Sequence, residues 1–421
     1  MTKLRGRLAS ERGRRVLAGL LFAAALFPYV SPFPTPFDTQ PWTLLVAAAA
    51  AMFAFPLRIP RILLPLFGIA GYAIVVFALG LVKGTADPLG GIRSLAGYLA
   101  LPVIAYAAFR LYRFLDARIF LAGVGTWLVV GLIQIAFDPY FLSGILPRKS
   151  TFGDVGRGVT SLAPEPFYYA KVLIVFFILN EIFRKEKRFG RGVYLAVAAV
   201  LAFELVITFA GIGVILLVAG ALAKAIALIW EGSRADRFAS AAVIALLCAG
   251  AGCFVVLPGL HRTRGGDILR KAAINPAMLY RQDLSASNRL GNLAVGLYGG
   301  LIETKGLGFG IGSPTRGEIP SWLRKSLGMS RPWGGRISGG LVQGVYELGA
   351  VGLIFMLSPL WILVASILKD KVRRGGLWLT LCLLYPVVAV SESPAFPLFG
   401  LLLAIHIHAL LTAREGSSSP P

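Results

Sequence analysis

Twelve apolar runs separated by short polar breaks dominate this chain of 421 residues. They fall at 15–32, 41–57, 62–82, 92–109, 119–137, 165–183, 192–208, 210–230, 238–259, 339–367, 376–391 and 395–413. Each approaches or exceeds the roughly twenty residues that a helix needs to cross a hydrocarbon core. A segment in that solvent must satisfy its own backbone, as a helix does. The expected architecture is all-α: a polytopic integral membrane bundle of about twelve transmembrane helices. Composition agrees, since 57% of residues are hydrophobic and only 15% charged. A mean hydropathy of +0.75 excludes a soluble or disordered chain.

The net charge of +22 would suit a nucleic-acid binder, but the cations sit in clusters between the apolar runs and form no binding face, so no nucleic-acid partner is expected. Besides the amino-terminal tail, the clusters are Arg58/Arg61, Arg110/Arg113/Arg118, Arg184/Lys185/Lys187/Arg188/Arg191, Arg234/Arg237, Lys369/Lys371/Arg373/Arg374 and Arg414. All fall on alternate loops, which the positive-inside rule makes cytoplasmic, with both termini on that side. The first run has no A-x-A-like cleavage site and is followed by further runs, so it reads as a retained helix. The resulting organisation is a cytoplasmic tail (1–14), nine helices over 15–259 including an extracytoplasmic loop at 138–164, a long loop at 260–338, three helices over 339–413, and a tail at 414–421.

The 260–338 loop caps the extracytoplasmic side. It carries twelve Lys or Arg against four acids. Short loops on that side lack such cations, and only loops beyond about sixty residues escape the bias. A cationic cap suits an anionic substrate at the membrane surface. Cys248, Cys253 and Cys382 fit no metal or redox spacing, His406 and His408 diverge on a helix, and no carboxylate cluster suits Mg²⁺. Neither metal nor cofactor is expected.

Two polar segments stand out. The stretch from Gly156-Arg157-Gly158 to Pro164-Glu165-Pro166 runs into the sixth apolar run, with Pro164 and Pro166 suited to the first helical turn and Ser161 expected as a nearby cap. Glu165 then stands at the outer mouth, with Lys171 about 9 Å deeper along the helix. The plainer alternative is that Glu165 complements the helix dipole and Arg157 is a solvated loop residue. The second segment is Asn288-Arg289-Leu290-Gly291-Asn292 followed by Glu303-Thr304-Lys305-Gly306-Leu307-Gly308-Phe309-Gly310-Ile311-Gly312. Alternating glycines beside Lys305 suggest an anion-binding nest, or simply a flexible turn. Residues 291–303 are expected to form an amphipathic surface helix that holds Arg289 near the headgroups.

These features resemble the O-antigen polymerase and O-antigen ligase superfamily. The resemblance rests on the dozen helices, the Arg157 loop before the sixth helix, Arg289 with the Gly-x-Gly-x-Gly run in a long late loop, and Glu347-Leu348-Gly349 downstream. It implies a GT-C type glycosyltransferase of the bacterial inner membrane that uses a glycan on undecaprenyl pyrophosphate and needs no metal. A chain-length regulator and a flippase are the implied protein partners. Counting back from Gly349, Ser338 stands where ligases carry a proposed catalytic histidine, which favours a polymerase over a ligase.

On that reading cations stabilise the departing pyrophosphate, and guanidinium groups match phosphate geometry. Arg157 and Arg289 are the first candidates, supported by Arg93, Lys171, Lys305 and Arg336. Glu165 is the expected base for the acceptor hydroxyl. Glu347 lies inside the tenth run, where a carboxylate is functional by default or pairs with a helix cation, and Asp154 and Glu392 are further carboxylates to consider. The competing class is a transporter of lipid-linked glycans or small molecules. It is disfavoured because polarity gathers at one outer face and no matched halves are visible.

Overall fold

The computed structural model describes residues 10–31, 33, 39–53, 58–146, 158–208, 220, 222, 271, 274, 284–313, 337, 339–370 and 374–415. Among these the chain is helical and contains no strand. In order come α1 (Glu11–Leu26), α2 (Trp42–Phe53), α3 (Leu64–Val82), α4 (Pro88–Leu111), α5 (Ala117–Ala136), α6 (Pro166–Lys185) and α7 (Arg191–Ile207). Then follow α8 (Leu284–Leu297), α9 (Gly340–Leu348), α10 (Ala350–Lys369), α11 (Arg374–Leu379), α12 (Tyr385–Val390) and α13 (Pro397–Glu415). A π-turn at Tyr298–Glu303 extends α8, and another at Thr380–Leu384 joins α11 to α12. The apolar runs at 210–230 and 238–259 lie outside the described residues, apart from Gly220 and Leu222.

Five helices are long and apolar enough to cross a membrane: Arg61–Val82, Pro88–Phe114, Ala117–Ala136, Pro166–Lys185 and Ala350–Lys369. Their ends follow local chemistry. Asp87 caps α4 by accepting from the N–H groups of Leu89 and Gly90, with Pro88 behind it where no N–H is needed. Asp116 caps α5 by accepting from the N–H of Arg118. Large apolar side chains such as Val75, Leu79, Val129, Trp361 and Leu368 face outward, whereas Gln134, Lys171, Glu204, Glu347 and Glu392 are buried. That is the reverse of the usual arrangement in water. Helix α4 is central, packing against α1, α2, α3 and α13. Arg93 near its start and Tyr112 just past its end are about 28 Å apart by helical rise, and they mark opposite ends of the bundle.

The tenth run, expected as one crossing over 339–367, is two helices. They part at Gly349, whose φ of 59° and ψ of −132° lie where only glycine is comfortable. Helix α9 folds back on α10, so that a Cβ added to Gly352 would lie 1.8 Å from the Gly344 carbonyl oxygen. In a continuous helix those residues would be about 12 Å apart. A helix that stops there leaves its last carbonyls without helical partners. The glycine-rich loop supplies them: Phe309 N–H donates to Tyr346 O at 2.8 Å and Gly310 N–H to Glu347 O at 3.0 Å. Gly306, Gly308, Gly310 and Gly312 all hold φ between 72° and 90°, which explains their alternation.

This corrects the expected anion nest. Gly308 N–H is taken by Thr304 Oγ1 at 2.9 Å and Leu307 N–H by Thr304 O at 3.1 Å, so the amides from 307 to 310 bond protein acceptors. The loop is instead a strap. At its far end Asp87 N–H donates to Gly312 O at 2.7 Å, which ties the start of α4 to the end of α9. The helix expected over 291–303 is present but begins earlier, which makes Arg289 a helical residue. It packs on α9 through Gly296 against Val342 and Gly300 against the Val345 carbonyl.

Gly349→Ala should therefore destabilise the protein by about 3 kcal/mol or more, combining the disallowed backbone region with a Cβ placed 2.0 Å from Gly306 O. Gly125→Ala, a helical position with nothing within 4 Å, should be neutral or stabilising. Thermal unfolding in detergent micelles compares the two.

Candidate functional site

The approach to α6 is held from behind. Gln134 Oε1 accepts the Ser161 N–H at 2.7 Å, and its Nε2 donates to Ser161 O at 2.9 Å and Phe141 O at 3.1 Å. Ser161 adopts φ 49°, and its hydroxyl donates to Trp127 O at 2.7 Å. Ser161 is therefore not the helix cap, because its hydroxyl is bonded to α5. The cap position is Glu165, in extended backbone with Pro166 next, and its side chain makes no capping hydrogen bond. Val159 N–H donates to Ile207 O at 3.1 Å, fastening the loop to α7.

One turn inside α6 lies a buried ion pair. Lys171 Nζ bonds Glu392 Oε2, with side chains 0% and 6% exposed. The pair joins α6 to the turn between α12 and α13. The ammonium also lies 4.2 Å from the Phe167 ring centroid and 3.9 Å from that of Tyr168, within cation–π range. Those rings precede Lys171 by four and three residues, so the helix places all three on one face. The Arg289 guanidinium carbon is 4.3 Å from the same Phe167 ring, and both Arg289 and Glu165 act electrostatically on Lys171. Glu392 Oε1 accepts Ser393 N–H at 3.1 Å, so both carboxylate oxygens are engaged. Lys171 is thus tied to Glu392 and shielded from solvent.

Glu347, in the last turn of α9, is also buried. Ser94 Oγ donates to its Oε1 at 2.6 Å and Tyr98 OH to its Oε2 at 2.8 Å. Gln343 Nε2 reaches Ser94 Oγ at 3.0 Å. Ser94 and Tyr98 stand four residues apart on α4, as do Gln343 and Glu347 on α9, so two helical stripes face each other. The hydroxyl donors on α4 are partners of Glu347 that the sequence does not announce.

Between these two centres is a cavity of about 140 Å³ whose wall includes Gln40, Arg93, Tyr168, Gln343, Glu392 and Ser393. Of the expected site residues, Arg93 lines it directly and Lys171 stands behind Glu392. Glu347 lies one turn beyond Gln343, and Arg289 is linked through Phe167. Glu165 stands at the start of α6, outside the cavity wall. Lys305 is exposed on the turn before the strap, with φ 54°, and the structure does not bring it to the cavity. Arg157, Arg336 and Asp154 lie outside the described residues. Tyr168, Gln343, Gln40, Ser94 and Tyr98 were not anticipated, although polar pairs four residues apart within apolar runs are a readable signal. No family model and no curated protein matches the chain.

Removing one member of a buried ion pair orphans the other, at about 3–5 kcal/mol. Lys171→Met and Glu392→Met should each destabilise by about that amount, and the double variant by clearly less than their sum. Thermal unfolding of all four proteins measures the coupling, and strictly additive losses would show that the pair contributes none.

Proposed function

We propose that the chain is a polysaccharide polymerase of the O-antigen polymerase and ligase kind, embedded in a bacterial inner membrane with both termini cytoplasmic. It would transfer a glycan from undecaprenyl pyrophosphate to a glycan acceptor on the extracytoplasmic side. The observation that carries this reading is a cavity walled by Arg93 and Glu392, with the buried Lys171 bonded to Glu392 behind it and Arg289 over the Phe167 ring beside Lys171, at one end of a bundle with an apolar exterior. Ionisable side chains inside such a bundle are costly to keep and mark functional positions.

The chemistry follows from the charges. An acceptor hydroxyl attacks the anomeric carbon, the bond to the pyrophosphate oxygen breaks, and undecaprenyl pyrophosphate leaves with the electron pair. Negative charge grows on the leaving group, so Arg289, and Arg157 in the preceding loop, stabilise the transition state more than the ground state. The hydroxyl proton passes to a carboxylate, and Glu165 and Glu392 are the two carboxylates beside Lys171. This chemistry requires no metal.

A strain lacking the protein should show its long surface-polysaccharide ladder collapsed to single repeat units on a gel. Accumulation of unattached lipid-linked polymer would instead identify a ligase. Complementation with Arg289→Ala should leave roughly 10²- to 10³-fold less polymerisation. Glu165→Gln at normal protein level decides the base: lost activity assigns it to Glu165, whereas retained activity removes Glu165 and leaves Glu392. A second reading, a transporter, is favoured by one observation, the half-helix α9 broken at Gly349 next to a buried carboxylate. An unchanged polysaccharide profile would select it.

A further inference from the structure

We infer that Glu204, near the end of α7, is a proton-binding site: its carboxyl group is held inside the bundle as the neutral acid, beside the Tyr169 hydroxyl of α6. Glu204 is not part of the cavity wall at Arg93 and Glu392, and the inference stands whichever reaction that cavity serves.

The first argument is a contrast. Four carboxylates are buried among the described residues: Glu181, Glu204, Glu347 and Glu392. Glu347 takes the Ser94 and Tyr98 hydroxyls, Glu392 an ammonium and a backbone amide, and Glu181 the Tyr194 hydroxyl at 2.9 Å. Glu204 is 0% exposed, and neither of its side-chain oxygens receives a hydrogen bond. A buried charge has to be paired, hydrogen-bonded or neutralised. Binding a proton neutralises it.

The surroundings are the second. Helix α7 packs on α6 and α5. From α6, Tyr169 interacts electrostatically with Glu204, and its hydroxyl is likewise buried without a hydrogen-bond partner. The next charge on α6, Lys171, is bonded to Glu392. Helix α5 carries no charged side chain beyond Arg118 at its start, and its Gln134 amide is taken by Ser161 and Phe141. The space by the hydroxyl is apolar: a Cβ added to Gly131 would lie 3.5 Å from Tyr169 OH, 3.6 Å from Val159 Cγ1 and 3.9 Å from Ile207 Cδ1. A hard metal cation needs several oxygen ligands, whereas among the described residues no three His, Cys, Asp or Glu side chains gather.

Complementarity is the third. A neutral acid offers one O–H donor and a carbonyl acceptor, and a phenol hydroxyl both donates and accepts. One added proton therefore lets the two orphaned groups satisfy each other. The site lies under the loop that enters α6, which is fastened three residues away where Val159 N–H donates to Ile207 O at 3.1 Å.

Infrared spectroscopy of the full-length protein in maltoside micelles at neutral pH tests the site. The spectrum should carry the carbonyl stretch of a protonated carboxyl, lost in Glu204→Gln and shifted without being lost in Tyr169→Phe. Glu204→Gln should melt with the wild type, since the amide replaces a neutral acid. Dicyclohexylcarbodiimide supplies a chemical probe. The carboxyl O–H adds across its C=N bond, the proton going to nitrogen and the oxygen to carbon, and acyl migration to nitrogen leaves an N-acylurea that keeps every atom of the reagent. Mass spectrometry should place that adduct on Glu204 and not on Glu347 or Glu392. If Glu204→Gln does not fold, loss of the band on forming the adduct takes its place. A wild-type spectrum without the band, or a band that survives both the substitution and the adduct, overturns the proposal. So does protection of Glu204 from the reagent by sodium chloride but not by choline chloride at equal ionic strength, which would make it an alkali-ion site.

Discussion

The chain reverses at Gly349, and the carbonyl groups of Tyr346 and Glu347 are thereby left without the partners that a continuous helix would provide. Buried carbonyls must be satisfied, and the N–H groups of Phe309 and Gly310 do so. That requirement fixes the strap, and the strap fixes more than one helix end, because its last glycine accepts the Asp87 N–H at 2.7 Å. Ser94 and Tyr98 lie two and three turns further along α4, so the register between strap and helix puts their hydroxyls at the Glu347 carboxylate. A backbone problem at one residue thus positions side chains on three separate elements.

Two buried carboxylates flank the cavity and are stabilised in different ways. Glu347 receives hydroxyl donors from α4, which hold it in place through directional bonds of modest individual strength. Glu392 receives an ammonium and a backbone amide, and its partner Lys171 sits against two aromatic rings. A buried ion pair contributes little net stability compared with an apolar replacement, yet it is costly to break. Its value here is geometric: it holds the turn between α12 and α13 against the first turns of α6, and so sets one wall of the cavity. Tyr168 belongs to both arrangements, touching the ammonium on one hand and lining the cavity on the other.

Long elements were legible because hydrophobic length is a direct physical requirement. The helices α3 to α7 lie within a few residues of the apolar runs that announce them. The break at Gly349 was not legible, since a run of apolar residues reads the same whether it crosses once or folds back. Its signs are local: Gly344 and Gly352 eight apart with Gly349 between, which only the contact of two backbones explains. The alternating glycines are plain in the sequence but their role is not, because positive φ exposes amides without saying whether an anion or a helix end will receive them. Lys171 and Glu347 stand out as charges in apolar runs, whereas the partners that hold them come from distant elements, the turn before α13 and helix α4. Lys171 and Glu392 are separated by 221 residues, a distance no spacing rule spans.

That separation has a temporal side. Chains are synthesised at roughly 5–20 residues per second, so Lys171 leaves the ribosome about 10–40 seconds before the carboxylate that neutralises it exists. Throughout that interval α6 carries an ammonium suited to no apolar surroundings. The Phe167 and Tyr168 rings on its own helix are available to it at once, whereas the ion pair that sets one wall of the cavity forms only after residue 392 has been made.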